Sequence, residues 1–128
     1  MFGSDIIRIK VKGYLRNITD NEVFEFEERG IKNKDKITFN NNDIKYSIKC
    51  NDNEIMMIRD GNDFVNTFIF NNNNNSKSNY LLKENGYDMD MEVNVSNMES
   101  NDKLIYIEYE IVSTSCKYEF KVEMSEML

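Results

Sequence analysis

Arg59 is the side chain in this sequence that best combines a reactive type with a suggestive position. It ends the run Glu54-Ile55-Met56-Met57-Ile58-Arg59-Asp60-Gly61, which is apolar on both faces before a charge appears. As a strand, the run puts Ile55, Met57 and Arg59 on one face and Met56, Ile58 and Asp60 on the other. A guanidinium facing an interior would await a carboxylate or phosphate, because its planar fork pairs with such anions bidentately. The plainer expectation is an arginine at a strand end, in water or beside a glutamate, since charged side chains are seldom fully buried.

Other chemistry is thin. Asp88, Asp90 and Glu92 share a strand face and carry the oxygens that calcium or magnesium prefers, but no glycine-containing ligand loop accompanies them. A solvated acidic face is expected there, as for Glu108 and Glu110, because two-carboxylate catalysis needs one acid with a raised pKa in a cleft. The chain has no histidine, which removes the usual general base, the usual activator of a nucleophile and the commonest transition-metal ligand. Cys50 and Cys116 are too few for a four-sulfur zinc site and read as reduced thiols. The tripeptide Arg59-Asp60-Gly61 and the sequons at Asn17, Asn74 and Asn94 match extracellular signals, and carry no weight without a secretion signal. No enzyme activity, metal site or cofactor is expected.

The elements that must position these residues are strands. Ile7, Ile9 and Val11 alternate with Arg8, Lys10 and Lys12, and Phe24 and Phe26 with Glu25 and Glu27. Ile44, Tyr46 and Ile48 alternate with Lys45, Ser47 and Lys49. The same period runs through Met89, Met91, Val93 and Val95, through Ile105, Ile107, Tyr109 and Ile111, and through Tyr118, Phe120, Val122 and Met124. A period of two is the mark of a strand with one buried face. Turn residues separate the runs at Asp20-Asn21, Asn41-Asn42-Asp43, Asn51-Asp52-Asn53, Gly61-Asn62 and Asn101-Asp102. Alanine and glutamine, two strong helix formers, are missing altogether. Short connections imply antiparallel hairpins, and closure removes exposed edges. The expectation is an all-β, antiparallel, up-and-down barrel of roughly eight to ten strands, with a two-sheet sandwich as the second choice.

A chain of 128 residues is one domain's worth, and the whole of it is read as a single barrel domain. Residues 1–5 read as a tag remnant or a disordered start. Residues 71–79, which open on a run of five asparagines, read as a solvated loop. The net charge of −7 repels a phosphate backbone, so nucleic acid is not expected. No apolar run approaches the ~20 residues of a membrane span, and the absence of a leader makes the cytoplasm the expected compartment.

The order of these features resembles the bacterial YwiB-like family, small calycin-like β-barrels that form a domain of unknown function. The resemblance spans Ile6 to Met124. It is carried by Val23-Phe24-Glu25-Phe26 followed by Gly30, by Ile58-Arg59-Asp60-Gly61 running into Phe64, and by residues 80–86 ahead of a long alternating strand. It implies a lipocalin-like barrel and marks Arg59 and Gly61, without bringing an activity. A fold of this kind does not fix a function. Arg59, Met57, Met91 and Tyr109 are the candidate ligand contacts, for a small, partly apolar or anionic molecule held inside the barrel. Thioethers and rings would make an adaptable lining for it. The rival expectation is a filled barrel that serves as an interaction or assembly module, including as a homodimer.

Overall fold

The computed structural model describes residues 6–72 and 75–127; residues 1–5 and the Asn74 sequon lie outside them. The described residues form ten strands and no helix. They are β1 (Ile6–Asn17), β2 (Glu22–Asn33), β3 (Lys36–Asn41), β4 (Ile44–Cys50), β5 (Glu54–Asp60), β6 (Phe64–Asn71), β7 (Lys77–Leu82), β8 (Asp88–Ser100), β9 (Leu104–Ile111) and β10 (Cys116–Glu126). Each strand pairs antiparallel with its neighbour in sequence, and β1 pairs with β10 to close the ring. The result is a closed barrel rather than a two-sheet sandwich.

Alternation decides which face is inside. Ile9 and Val11, Ile37 and Phe39, Ile55 and Met57, Ile105 and Ile107, and Phe120 and Val122 are all buried, while the residues between them reach solvent or lie half-buried. The methionines divide by the same rule. Met57 and Met124 are core, whereas Met89 sits on an inward position near a strand end and remains exposed. Met98 is out of phase with Val95. A bulge between Val95 and Asn97 corrects this, and brings Met98 opposite Ile107 and against the core.

Turn chemistry fixes the hairpins. Asn42 and Asp43 both take positive φ, 52° and 64°, between the paired Asn41 and Ile44. This is the two-residue geometry whose twist matches the flanking strands, and Asn and Asp tolerate it. Lys34 does the same job at φ 58° between β2 and β3, where no turn residue announced it. Gly13 answers to close approach instead, since a Cβ there would lie 2.1 Å from the Lys121 carbonyl oxygen.

The expected loop over 71–79 is corrected by the structure. Asn71 still belongs to β6, and Lys77, Ser78 and Asn79 belong to β7. Ser76 and Ser78 are buried, and the Ser76 hydroxyl both accepts from the Asn71 N–H at 2.7 Å and donates to the Asn71 carbonyl at 3.1 Å. The first asparagine of the run therefore ends a strand, because a ladder partner and a serine clasp outweigh the composition.

The barrel has two ends. The turns at 18–21, 42–43, 61–63, 83–87 and 112–115 rim one of them, and those at 34–35, 51–53 and 101–103, with the end of β6 and the start of β7, rim the other. The ladders are unequal in length. β2 pairs with β1 along all of Glu22–Asn33, but with β3 only through Gly30–Asn33.

Candidate functional site

Arg59 lies on an inward rung at the first of these ends. Register sets the rung: Tyr46 on β4 opposes Arg59, Arg59 opposes Asn66 on β6, Asn66 opposes Tyr80 on β7, and Tyr80 opposes Met89 on β8. The next rung inward holds Ile48, Met57, Phe68, Ser78 and Met91 in the same order. Of the candidate contacts, Met57 and Tyr109 are buried, and Met91 and Arg59 are half-buried.

The guanidinium is held from several sides. Its Nε donates to the Tyr46 hydroxyl at 3.4 Å and its Nη1 to Asn66 Oδ1 at 3.3 Å, both long contacts. Its Cζ lies 5.6 Å from the centre of the Tyr46 ring and 5.7 Å from that of Phe64, within cation–π range of both. Asn66 is buried and fully engaged, donating to Ser78 Oγ at 3.1 Å and to the Asn79 carbonyl at 3.0 Å. Gly61 makes room for this arrangement, because a Cβ there would come within 2.7 Å of the Phe64 ring.

No carboxylate pairs with Arg59 among the described residues. The salt bridges there join Lys10 to Glu27, Arg16 to Glu119, Lys32 to Asp102, Lys83 to Asp60 and Lys121 to Glu123. Asp60, the neighbour of Arg59 in sequence, points to the other face and takes Lys83 at 2.7 Å. Of the two plain expectations, water or a glutamate, no glutamate pairs with it, and among the described residues the guanidinium N–H groups beyond Nε and Nη1 have no protein acceptor.

Aromatic side chains continue from this point in both directions. Tyr46 stacks on Phe39 at 4.9 Å between centroids, and Phe39 on Phe26 at 5.5 Å. On the other side, Phe64 stacks on Tyr80 at 5.4 Å. Tyr109 packs against Phe70 at 4.9 Å and Tyr118 at 5.3 Å. Burial pushes the Tyr109 hydroxyl's pKa well above the usual tyrosine range, while the field of Arg59 pulls it back, and Tyr118 and Tyr46 add to the rise. Arg59 and Tyr109 thus belong to one electrostatic neighbourhood, with Met57 and Met91 one rung deeper.

Elsewhere the groups that could do chemistry are spread apart or tied to one another. At the opposite end a groove of about 730 Å³ has Ile7, Ile9 and Met124 in its lining, with Lys32 beside them. That lysine is engaged by Asp102, through its carbonyl at 3.4 Å and its carboxylate at 3.6 Å. Asn79 Nδ2 donates to both Asp88 and Asp90, so the acidic row is tied together by an amide. No group of three metal-ligating side chains occurs among the described residues. Cys50 and Cys116 are both free thiols, and burial raises the Cys50 pKa. On the outer wall, Glu119 gathers the hydroxyls of Tyr14 and Tyr106 and the guanidinium of Arg16.

Tyr46, Phe64 and Asn66 complete the arginine's setting, and sequence reasoning did not assign them to it. A signal existed for Asn66, the one amide in the inward row Phe64, Asn66, Phe68, Phe70.

A family model described as a domain of unknown function, DUF1934, matches residues 9–124. The chain belongs to this family. Within the DUF1934 span fall Arg59, Gly61, Phe64 and the whole of the rung around them. Among solved structures, the chain is similar to one described as the crystal structure of ywiB protein from Bacillus subtilis. The TM-score is 0.69 with 14% identity, over 97% of this chain and 93% of that one. At that identity the likeness establishes the barrel fold. No curated protein matches the chain.

Proposed function

We propose that this DUF1934 protein is a non-enzymatic, calycin-like binding barrel of the cytoplasm. Its ligand is a small organic anion with an apolar body, taken at the Arg59 end. One observation carries the reading: a half-buried guanidinium, set between two rings, has no carboxylate of its own in a chain with a net charge of −7. Such a group gains most from an anion that can accept from the free edge of its fork. Phe64, Tyr80, Met89 and Met91 lie on the neighbouring inward positions and suit the apolar body. Met57 and Tyr109 support the floor by packing. Benzoate and related aryl carboxylates have this chemistry, and inorganic phosphate supplies the charge without the apolar part.

Native mass spectrometry of the protein purified from its own host tests the reading. A small mass that leaves on denaturation, and that Arg59→Ala fails to retain, is the expected result. A bare protein whose melting temperature is indifferent to benzoate and to phosphate would sink it. The rival reading as an assembly module draws on the exposed Val23 and Phe24 at the same end of the barrel.

A further inference from the structure

The closed ring has an open flank. Glu22–Arg29 of β2 pair with β1 on one side, while on the other side β3 reaches only Gly30–Asn33. Among the described residues, no turn or loop backbone group and no side chain bonds to the backbone of this free edge. β8 has a comparable stretch beyond its pairing with β7, from Asn94 to Ser100, but it carries a bulge and mostly polar side chains. Bulges and charges are the usual means of keeping an edge from pairing. The β2 edge has no bulge, and among its glutamates it bears Val23, Phe24 and Phe26, with Val23 51% and Phe24 61% exposed.

We infer that this edge pairs with the same edge of a second copy, antiparallel, about a two-fold axis at Phe24. Charge selects the register among pairings that keep like faces together. An axis at Glu22, Glu25, Glu27 or Glu28 sets a glutamate against itself, and an axis at Phe26 sets Glu25 against Glu27. Like charges directly opposite are destabilising. An axis at Val23 opposes no like charges but pairs only three strand residues, Glu22 to Phe24. With the axis at Phe24, Phe24 faces Phe24, Val23 faces Glu25 and Glu22 faces Phe26. This register is the longest within β2 that avoids a glutamate pair, and it covers the two exposed apolar side chains. The contact is isologous, so it closes at two copies and does not propagate. The glutamates act as a register lock, since they reject the neighbouring alignments.

Sedimentation equilibrium of the full chain, from micromolar to submillimolar concentration at physiological salt, reads the assembly directly. The expected result is a reversible dimer whose dissociation constant rises by about tenfold or more in Phe24→Lys, which sets cation against cation. Ile31→Lys, an exposed outer position on the same strand away from the axis, leaves it unchanged. In a Cys50→Ser, Cys116→Ser background, Phe24→Cys cross-links to itself on mild oxidation. Opposed antiparallel residues lie ~4.5–5.5 Å apart, within disulfide reach. Phe26→Cys does not cross-link, because its partner in this register is Glu22. A monomer throughout the range, a dimer indifferent to Phe24→Lys, or cross-linking at position 26 in place of 24 would overturn the assignment. So would a monomer that binds a peptide with the basic, alternating sequence of residues 6–17, which would give the edge to an extended strand of another kind.

Discussion

Asn66 shows what a single inward amide does. Its two ends hold β5 and β7 to β6 through Arg59, Ser78 and the Asn79 carbonyl. Asn66→Leu fits an apolar rung, but it strands those partners in a low-dielectric setting. The expected cost is on the order of 3 kcal/mol, read as a lower urea midpoint with an unchanged slope. Arg59→Ala frees the Tyr46 hydroxyl and leaves the buried Asn66 Oδ1 without its donor, and should cost about 1–3 kcal/mol. Tyr109 gives a pH signature. Burial raises its folded pKa above the unfolded value of about 10, so the neutral form is the one folding favours. Its contribution is whole below pH ~10 and is lost as pH rises further, because the unfolded chain then ionises first. Absorbance titration should find Tyr109 ionising only as the barrel opens. Arg59 was legible as a candidate because an apolar row leads up to it. Its companions were not, since Tyr46, Phe64 and Asn66 meet it across ladders whose register no single strand encodes.

Strands were easier to see than their connections. Period-two alternation depends on local order alone, and β1, β4, β9 and β10 stand where it placed them. The 71–79 segment misled because composition was its only local cue, while Ser76 and Ser78 are buried through partners on Asn71 and Asn66. Lys34 was equally silent, since a lysine carries no preference for its φ of 58°. Lys34→Gly should relieve that conformation and raise stability by on the order of 1 kcal/mol, measured by thermal or urea unfolding. Gly61→Ala should act the other way. The added methyl pushes Phe64 off the guanidinium, and the expected cost of about 1–3 kcal/mol would come with a changed aromatic near-UV signal.

At the scale of the molecule, hairpins and charge dominate. Every ladder except one joins neighbours in sequence, which is why short turns and alternation were enough to indicate a closed antiparallel barrel. The unequal ladders were out of reach, because alternation specifies which face is wet and not how far two strands overlap. The acidic surplus is spread over the outer wall, and its self-repulsion is screened by salt. Raising ionic strength should lift the melting temperature by about a few degrees, where a structure held mainly by surface ion pairs would lose stability instead.

The exception among the ladders joins Ile9 to Glu126 and Asn17 to Tyr118, the first strand to the last. On the ribosome, β1 can find β2 as soon as both have emerged, but its second neighbour is the last of the barrel's ten strands to be made. Until then β1 and β9 each present a bare ladder, and apolar faces that the finished barrel hides are wet. The seam is therefore zipped only once β10 has emerged, when the long loop that separates its halves must be closed at an entropic cost. A nascent chain of this design has most need of a chaperone just before β10 emerges, when nearly all of its sheet exists and none of it is sealed.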